Sequence, residues 1–151
     1  MESADLLFRT ANALAAAGWI ALALSPATAR RAPVVRRITG RFLPLGFALV
    51  YVALMATHLG ADGGFGSVAQ VQRLFAVPGL LVAGWLHYLA FDLFVGSWIA
   101  EGAAALRIPH AIVVGLLLLT FMFGPAGLLA YAALRATLYR EPATATRATP
   151  A

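Results

Sequence analysis

The residues in this chain that could do chemistry crowd into one apolar stretch, Trp85-Leu86-His87-Tyr88-Leu89-Ala90-Phe91-Asp92-Leu93-Phe94-Val95-Gly96-Ser97-Trp98. A neutral carboxyl can donate a proton and an imidazole can take one, so Asp92 and His87 are the candidate acid and base. An ionisable group inside a membrane span is costly and by default points to function. Desolvation at such a depth favours the neutral acid. Structural roles compete with this reading. A protonated Asp92 could tie helices together through a hydroxyl or amide, or pair with an arginine such as Arg9. His87 could be a packing residue.

The helical period separates the two groups. At about 100° per residue, Trp85, Tyr88, Asp92, Gly96 and Ile99 share one stripe, while His87, Phe91, Phe94 and Trp98 share another. On a straight helix Asp92 and His87 stand about 7.5 Å apart along the axis and do not touch. They would serve two different neighbours, or two ends of a long ligand wrapped past the helix. His58, His87 and His110 could in principle supply three imidazoles to a metal. His58 lies near one end of its segment and His110 near the opposite side, well over ~15 Å apart, so no metal site is expected.

Aromatic residues (Trp85, Phe91, Phe94, Trp98, Phe121, Phe123, Tyr131) are mixed with small ones (Gly84, Ala90, Gly96, Gly115, Gly124, Gly127). Such walls can form a slot for a long, flat, apolar ligand, or simply let helices approach. Trp85, Tyr88, Phe91, Trp98, Asn12 and His110 are the expected substrate-binding side chains.

The elements that must hold these residues are membrane helices. The chain has 151 residues, 62% hydrophobic and 11% charged, with a mean hydropathy of +0.85. A soluble domain carries about 25% charged residues, so this composition belongs to the membrane class. There is no cysteine, hence no disulfide and no thiolate ligand or nucleophile. The net charge is +5. Arg30, Arg31, Arg36, Arg37 and Arg41 sit in one loop without interleaved aromatics, which reads as a membrane-orientation signal and not as a nucleic-acid surface. Glu2 and Asp5 precede Arg9, and the first apolar run is span-length, so no cleaved signal is expected.

The expected architecture is all-α, with four transmembrane helices at about 5–24, 42–59, 78–100 and 108–134 in one domain over 1–140. A short interfacial helix is expected over about 67–77, where Ser67-Val68-Ala69-Gln70 has the form of a capping box. Phe123-Gly124-Pro125-Ala126-Gly127 is a kink site within the fourth span. The tail 141–151 is low in complexity and expected to be disordered. Asn12 needs a partner in lipid and should face another helix. An Asp5–Arg9 pair is expected at one turn's spacing. Four spans put both termini on one side, with the Arg30–Arg41 loop cytoplasmic, although Arg135, Arg140 and Arg147 pull against that arrangement.

The chain resembles the family of small membrane proteins named after the plant abscisic-acid-deficient-four protein, which is associated with neoxanthin synthesis. The resemblance is carried by Gly84-Trp85-x-His87-Tyr88-Leu89-x-Phe91-Asp92-Leu93-Phe94-Val95-Gly96-x-Trp98, by Ile108-Pro109-His110, and by Phe123-Gly124-Pro125-x-Gly127-Leu128-Leu129-x-Tyr131. A weaker part is Asn12-x5-Gly18-Trp19. It implies a polytopic membrane protein linked, in plants, to converting an epoxycarotenoid into an allenic one. That conversion is a net isomerisation needing an acid and a base but no redox cofactor. The layout suggests a bacterial-type member in the inner membrane. Expected partners are the lipid bilayer and a carotenoid or isoprenoid ligand, with room for a homo-oligomer. A non-catalytic carotenoid- or lipid-binding or complex-assembly protein is the alternative.

Overall fold

The structure, a computed structural model, describes residues 2–138, and every regular element among them is a helix. The expected tail over 141–151 lies outside the described residues. α1 spans Glu2–Ala23. α2 (Ala32–Arg37), a π-helical turn (Ile38–Phe42) and α3 (Leu43–Thr57) run end to end as one apolar rod, Ala32–Thr57. α4 (Val68–Ala76), α5 (Pro78–Ala105), α6 (His110–Phe123) and α7 (Pro125–Leu138) follow.

Local sequence explains these limits. Pro78 opens α5, where a missing N–H is harmless. Ser67 caps α4 by accepting from the Gln70 N–H at 3.3 Å, and Gln70 reaches back to the Gly66 N–H at 2.9 Å. Arg73, in the last turn of α4, lies 3.4 Å from Asp62 in the loop before it, the ion pair formed among the described residues. The expected Asp5–Arg9 pair does not form.

α1, the Ala32–Thr57 rod and α5 are long and apolar enough to cross a membrane. Ser3, Leu54, His58 and Pro78 line one cavity, so α1 starts, α3 ends and α5 starts at one end of the bundle. Leu22, Arg36, Ala104 and His110 line another cavity at the opposite end. That second end carries the arginine cluster.

The fourth expected span is different. α6 and α7 have 14 residues each, about 21 Å, which falls short of the ~30 Å hydrocarbon core. They do not continue one another. Gly124 lies against the Asp92 carboxyl, but the Tyr131 hydroxyl lies against Gly102. Gly102 is about 15 Å further along α5 towards the arginine end. The chain has therefore turned back between Gly124 and Tyr131. Gly127 of α7 is pressed on Thr120 of α6, three to four residues either side of the turn. The result is a hairpin of two half-length helices whose tip reaches only to Asp92. Gly124 makes the turn with φ 25° and ψ −85°, a conformation hostile to a side chain, and Pro125 cannot extend α6.

This corrects two expectations. Residues 108–134 do not form one kinked crossing helix. The start of α1 and the end of α7 also stand at opposite ends, not on one side. Arg135 thereby joins the arginine end, which removes the charge conflict seen in the sequence.

α5 is the central element and packs on every other helix. Its buried residues include Leu86, Leu89, Leu93, Ile99 and Ala103. Trp19 from α1, Phe47 from α3, Leu117 from α6 and Tyr131 from α7 complete the core. The π-turn meets α5 through a buried relay. Ser97 donates to the Thr39 hydroxyl at 2.7 Å, and Thr39 donates to the Val35 carbonyl at 2.8 Å. In a membrane this relay supplies the donor that a disturbed helix ladder lacks.

Candidate functional site

The two stripes expected on α5 meet different neighbours. α5 is unbroken from Pro78 to Ala105, so the helical geometry holds and His87 and Asp92 are not brought together. This is the main restriction on any acid–base chemistry shared between them.

On one side, α5 faces α1 and the tip of the α6–α7 hairpin. The Trp85 indole N–H donates to the Asn12 side-chain oxygen at 3.0 Å, and Asn12 donates to the Phe8 carbonyl at 2.8 Å. Asn12 thus does face another helix. Phe8 and Trp85 stack at 5.4 Å, and Trp85 and Tyr88 at 5.3 Å. The Tyr88 hydroxyl donates to the Phe121 carbonyl at 3.2 Å. That carbonyl belongs to the last turn of α6, which has lost its helical partner at the hairpin tip. Tyr88 also lies within interaction distance of the Asp92 carboxyl. Asp92 itself sits under Gly124, and its Oδ2 is buried without a hydrogen-bond partner among the described residues.

On the other side, His87 lies over α3 and α4. It is exposed and stacks at 4.6 Å on Phe91 and 5.7 Å from Tyr51. It lines an open cavity of about 460 Å³ with Tyr51, Met55, His58, Phe75 and Gly84. The His87 ring therefore has two aromatic neighbours and an open edge. Phe91 and Phe94 line an apolar groove of about 360 Å³ with Arg41, Pro44 and Leu45.

The remaining expected site residues lie apart. Trp98 packs edge-to-face on Tyr131 at 5.2 Å, towards the arginine end. His110 is at that end too, with Nε2 at 2.9 Å from the Ala23 carbonyl, where it caps α1. His58 is at the other end, its Nδ1 2.8 Å from the Leu54 carbonyl.

Thr120, which reading the sequence did not single out, matters here, and Phe121 and Gly127 have roles beyond those expected. Phe121 places its carbonyl under Tyr88, and Thr120 and Gly127 clamp the hairpin. The only sequence signal for the clamp was the Gly-Pro-x-Gly run, which also fits a kink.

Two faces of one helix thus carry the polar groups, and the hairpin tip closes one of them. The ABA DEFICIENT 4-like family model matches residues 6–131 of the chain. No curated protein and no solved structure matches it.

Proposed function

This chain belongs to the ABA DEFICIENT 4-like family, and from that premise we propose that it is an isomerase-type membrane enzyme for a carotenoid or related isoprenoid lipid, with Asp92 as the proton-handling group. One observation carries the reading: a carboxyl oxygen is buried, with no hydrogen-bond partner among the described residues, at the tip of a helical hairpin inside an apolar bundle. A buried polar atom without a partner is costly unless function retains it.

The chemistry fits a single carboxyl. In its neutral form Asp92 donates a proton to the epoxide oxygen of the substrate, and the C–O bond opens. The resulting carboxylate takes the carbon-bound proton released as the new double bond forms. Asp92 ends as it began, so the net change is an isomerisation and no oxidant or reductant enters. Tyr88, beside the carboxyl, orients it. The hairpin tip excludes water from this point.

A long ligand would lie over the exposed edge of α5. From Asp92 the open surface runs over Tyr88 and Phe91 to His87; Tyr88 is 37% and Phe91 59% exposed. His87 then contacts a remote part of the ligand and takes no part in the proton cycle. The arginine end faces the cytoplasm, because Arg30, Arg31, Arg36, Arg37, Arg41, Arg107 and Arg135 gather there. The membrane is then a bacterial inner membrane.

A second reading rests on a different observation. Trp85 and Tyr88 spend their hydrogen bonds on Asn12 and Phe121. They act as scaffold in that respect, which suits a non-catalytic lipid- or carotenoid-binding or assembly protein. Expression in a carotenoid-producing host, with pigments followed by chromatography, separates the two. A new isomeric pigment that disappears in Asp92→Asn supports catalysis. Pigment that co-purifies chemically unchanged from both wild type and Asp92→Asn sinks the proton-transfer proposal and favours binding.

A further inference from the structure

At the arginine end, the end of α1 and the loop after it, the last turn of α2, the last turns of α5 and the start of α6 surround a cavity of about 500 Å³. Its polar rim is Ser25, Thr28, Arg36, Arg107 and His110. Its inner wall is apolar, from Leu22, Ala100, Ala104 and Val113. Among the described residues no carboxylate lines it. Neither arginine is in an ion pair among the described residues, where the pair formed is Arg73–Asp62 at the far end. Two guanidinium groups on one cavity repel each other, and an anion between them relieves that repulsion.

Arg107 stands in an unusual place. The Ile108 N–H bonds to the Ala103 carbonyl at 3.0 Å and the Arg107 N–H to the Ala104 carbonyl at 3.2 Å. This is the helix-ending pattern in which the position of Arg107 is normally glycine. Arg107 has φ 54° there, the one positive φ of a non-glycine residue among those described. A side chain is strained in that conformation and glycine is not. The strain is understandable if the guanidinium has a use at the rim.

We propose that this cavity binds the phosphate headgroup of an anionic lipid, a phosphomonoester or diphosphate. Arg36 and Arg107 hold the phosphate oxygens through paired N–H donors, a geometry that lysine does not offer. The first carbons of the lipid chain lie on Leu22 and Val113. His110 is part of the wall, since its Nε2 is committed to the Ala23 carbonyl. Neutral headgroups lack the charge to be held here, and a free phosphate leaves the apolar wall unused. The site lies about 12–18 Å along α5 from Asp92, at Ala100 and Ala104, and stands independently of the proposed isomerase activity.

The test uses the full chain, stripped of lipid in a neutral detergent and examined by native mass spectrometry. It is titrated with phosphatidic acid, with phosphatidylcholine, and with phosphatidic acid in the presence of inorganic phosphate or pyrophosphate. Phosphatidic acid should be retained about tenfold better than phosphatidylcholine. Arg36→Gln and Arg107→Gly should each remove most of that preference. Arg73→Gln, an equal change of charge at the opposite end, should leave it intact. Displacement by pyrophosphate assigns the phosphate chemistry to a site that soluble anions also reach; resistance to it assigns the site to lipid alone. Arg107→Gly should also raise the Tm of the lipid-free protein, because glycine suits the left-handed backbone, so lost retention there is not misfolding. Equal retention of the two lipids, or an equal loss in Arg73→Gln, overturns the proposal.

Discussion

The Asp92 face and the His87 face of α5 start from similar material, one titratable group among aromatic rings, and are finished differently. On the Asp92 face, Trp85 and Tyr88 donate to α1 and α6, and the hairpin tip closes over the carboxyl. On the His87 face there are ring contacts with Tyr51 and Phe91 but no hydrogen bond to His87 among the described residues, and the surface stays open. Similar composition therefore makes a hydrogen-bonded face with a half-buried carboxyl on one side and an open aromatic surface on the other. The difference comes from what packs opposite, not from α5 itself.

The comparison depends first on the hairpin, and its failure there would be total. The chain has no cysteine, so single introduced thiols report sidedness cleanly. Ala27→Cys and Thr137→Cys should react with a membrane-impermeant maleimide from the same side, and Ala69→Cys only from the other. Reaction of Thr137→Cys together with Ala69→Cys would restore a fourth crossing helix and remove the lid from Asp92.

The next largest effect is on turnover. Asp92→Asn should lower pigment conversion by about 100-fold or more, the usual scale for losing a proton-transfer group. His87→Ala should cost less than about tenfold, because its part is binding. Equal losses, measured as product per unit of folded protein, would erase the distinction between the faces.

Smaller effects concern stability. Gly127→Val forces a side chain into the Thr120 backbone and should destabilise by about 1–3 kcal/mol, seen as a lower Tm in detergent. An unchanged Tm would mean that the two half-helices are not clamped. Tyr88→Phe removes the donor to the Phe121 carbonyl and should cost about 0.6–1.7 kcal/mol, the range for hydrogen bonds between membrane helices. The corresponding Tyr51→Phe change on the His87 face, where only ring contact is made, should be close to neutral.

Much of this was legible in the sequence. The 3.6-residue period separates Asp92 from His87, and α5 is one unbroken helix from Pro78 to Ala105. Ser67-Val68-Ala69-Gln70 announces a cap, because a hydroxyl three residues before an amide N–H can reach it. Asn12 in an apolar run requires a partner, and an indole N–H on α5 meets that need. Gly124-Pro125 was legible only as a break. A break permits either a kink or a reversal, and the local residues are the same in both.

The sequence by itself determined the membrane class, the helical class and the isolation of polar groups on α5, because composition and periodicity act along the chain. The tertiary structure alone decided that residues 108–134 fold back. That outcome needs Thr120 to accept Gly127 at contact distance and Gly102 to admit the Tyr131 hydroxyl, both meetings between separate helices. It likewise decided that Asp92 Oδ2 is buried without a partner among the described residues while His87 remains open. Burial is a property of what surrounds a residue, and no spacing along one helix contains it.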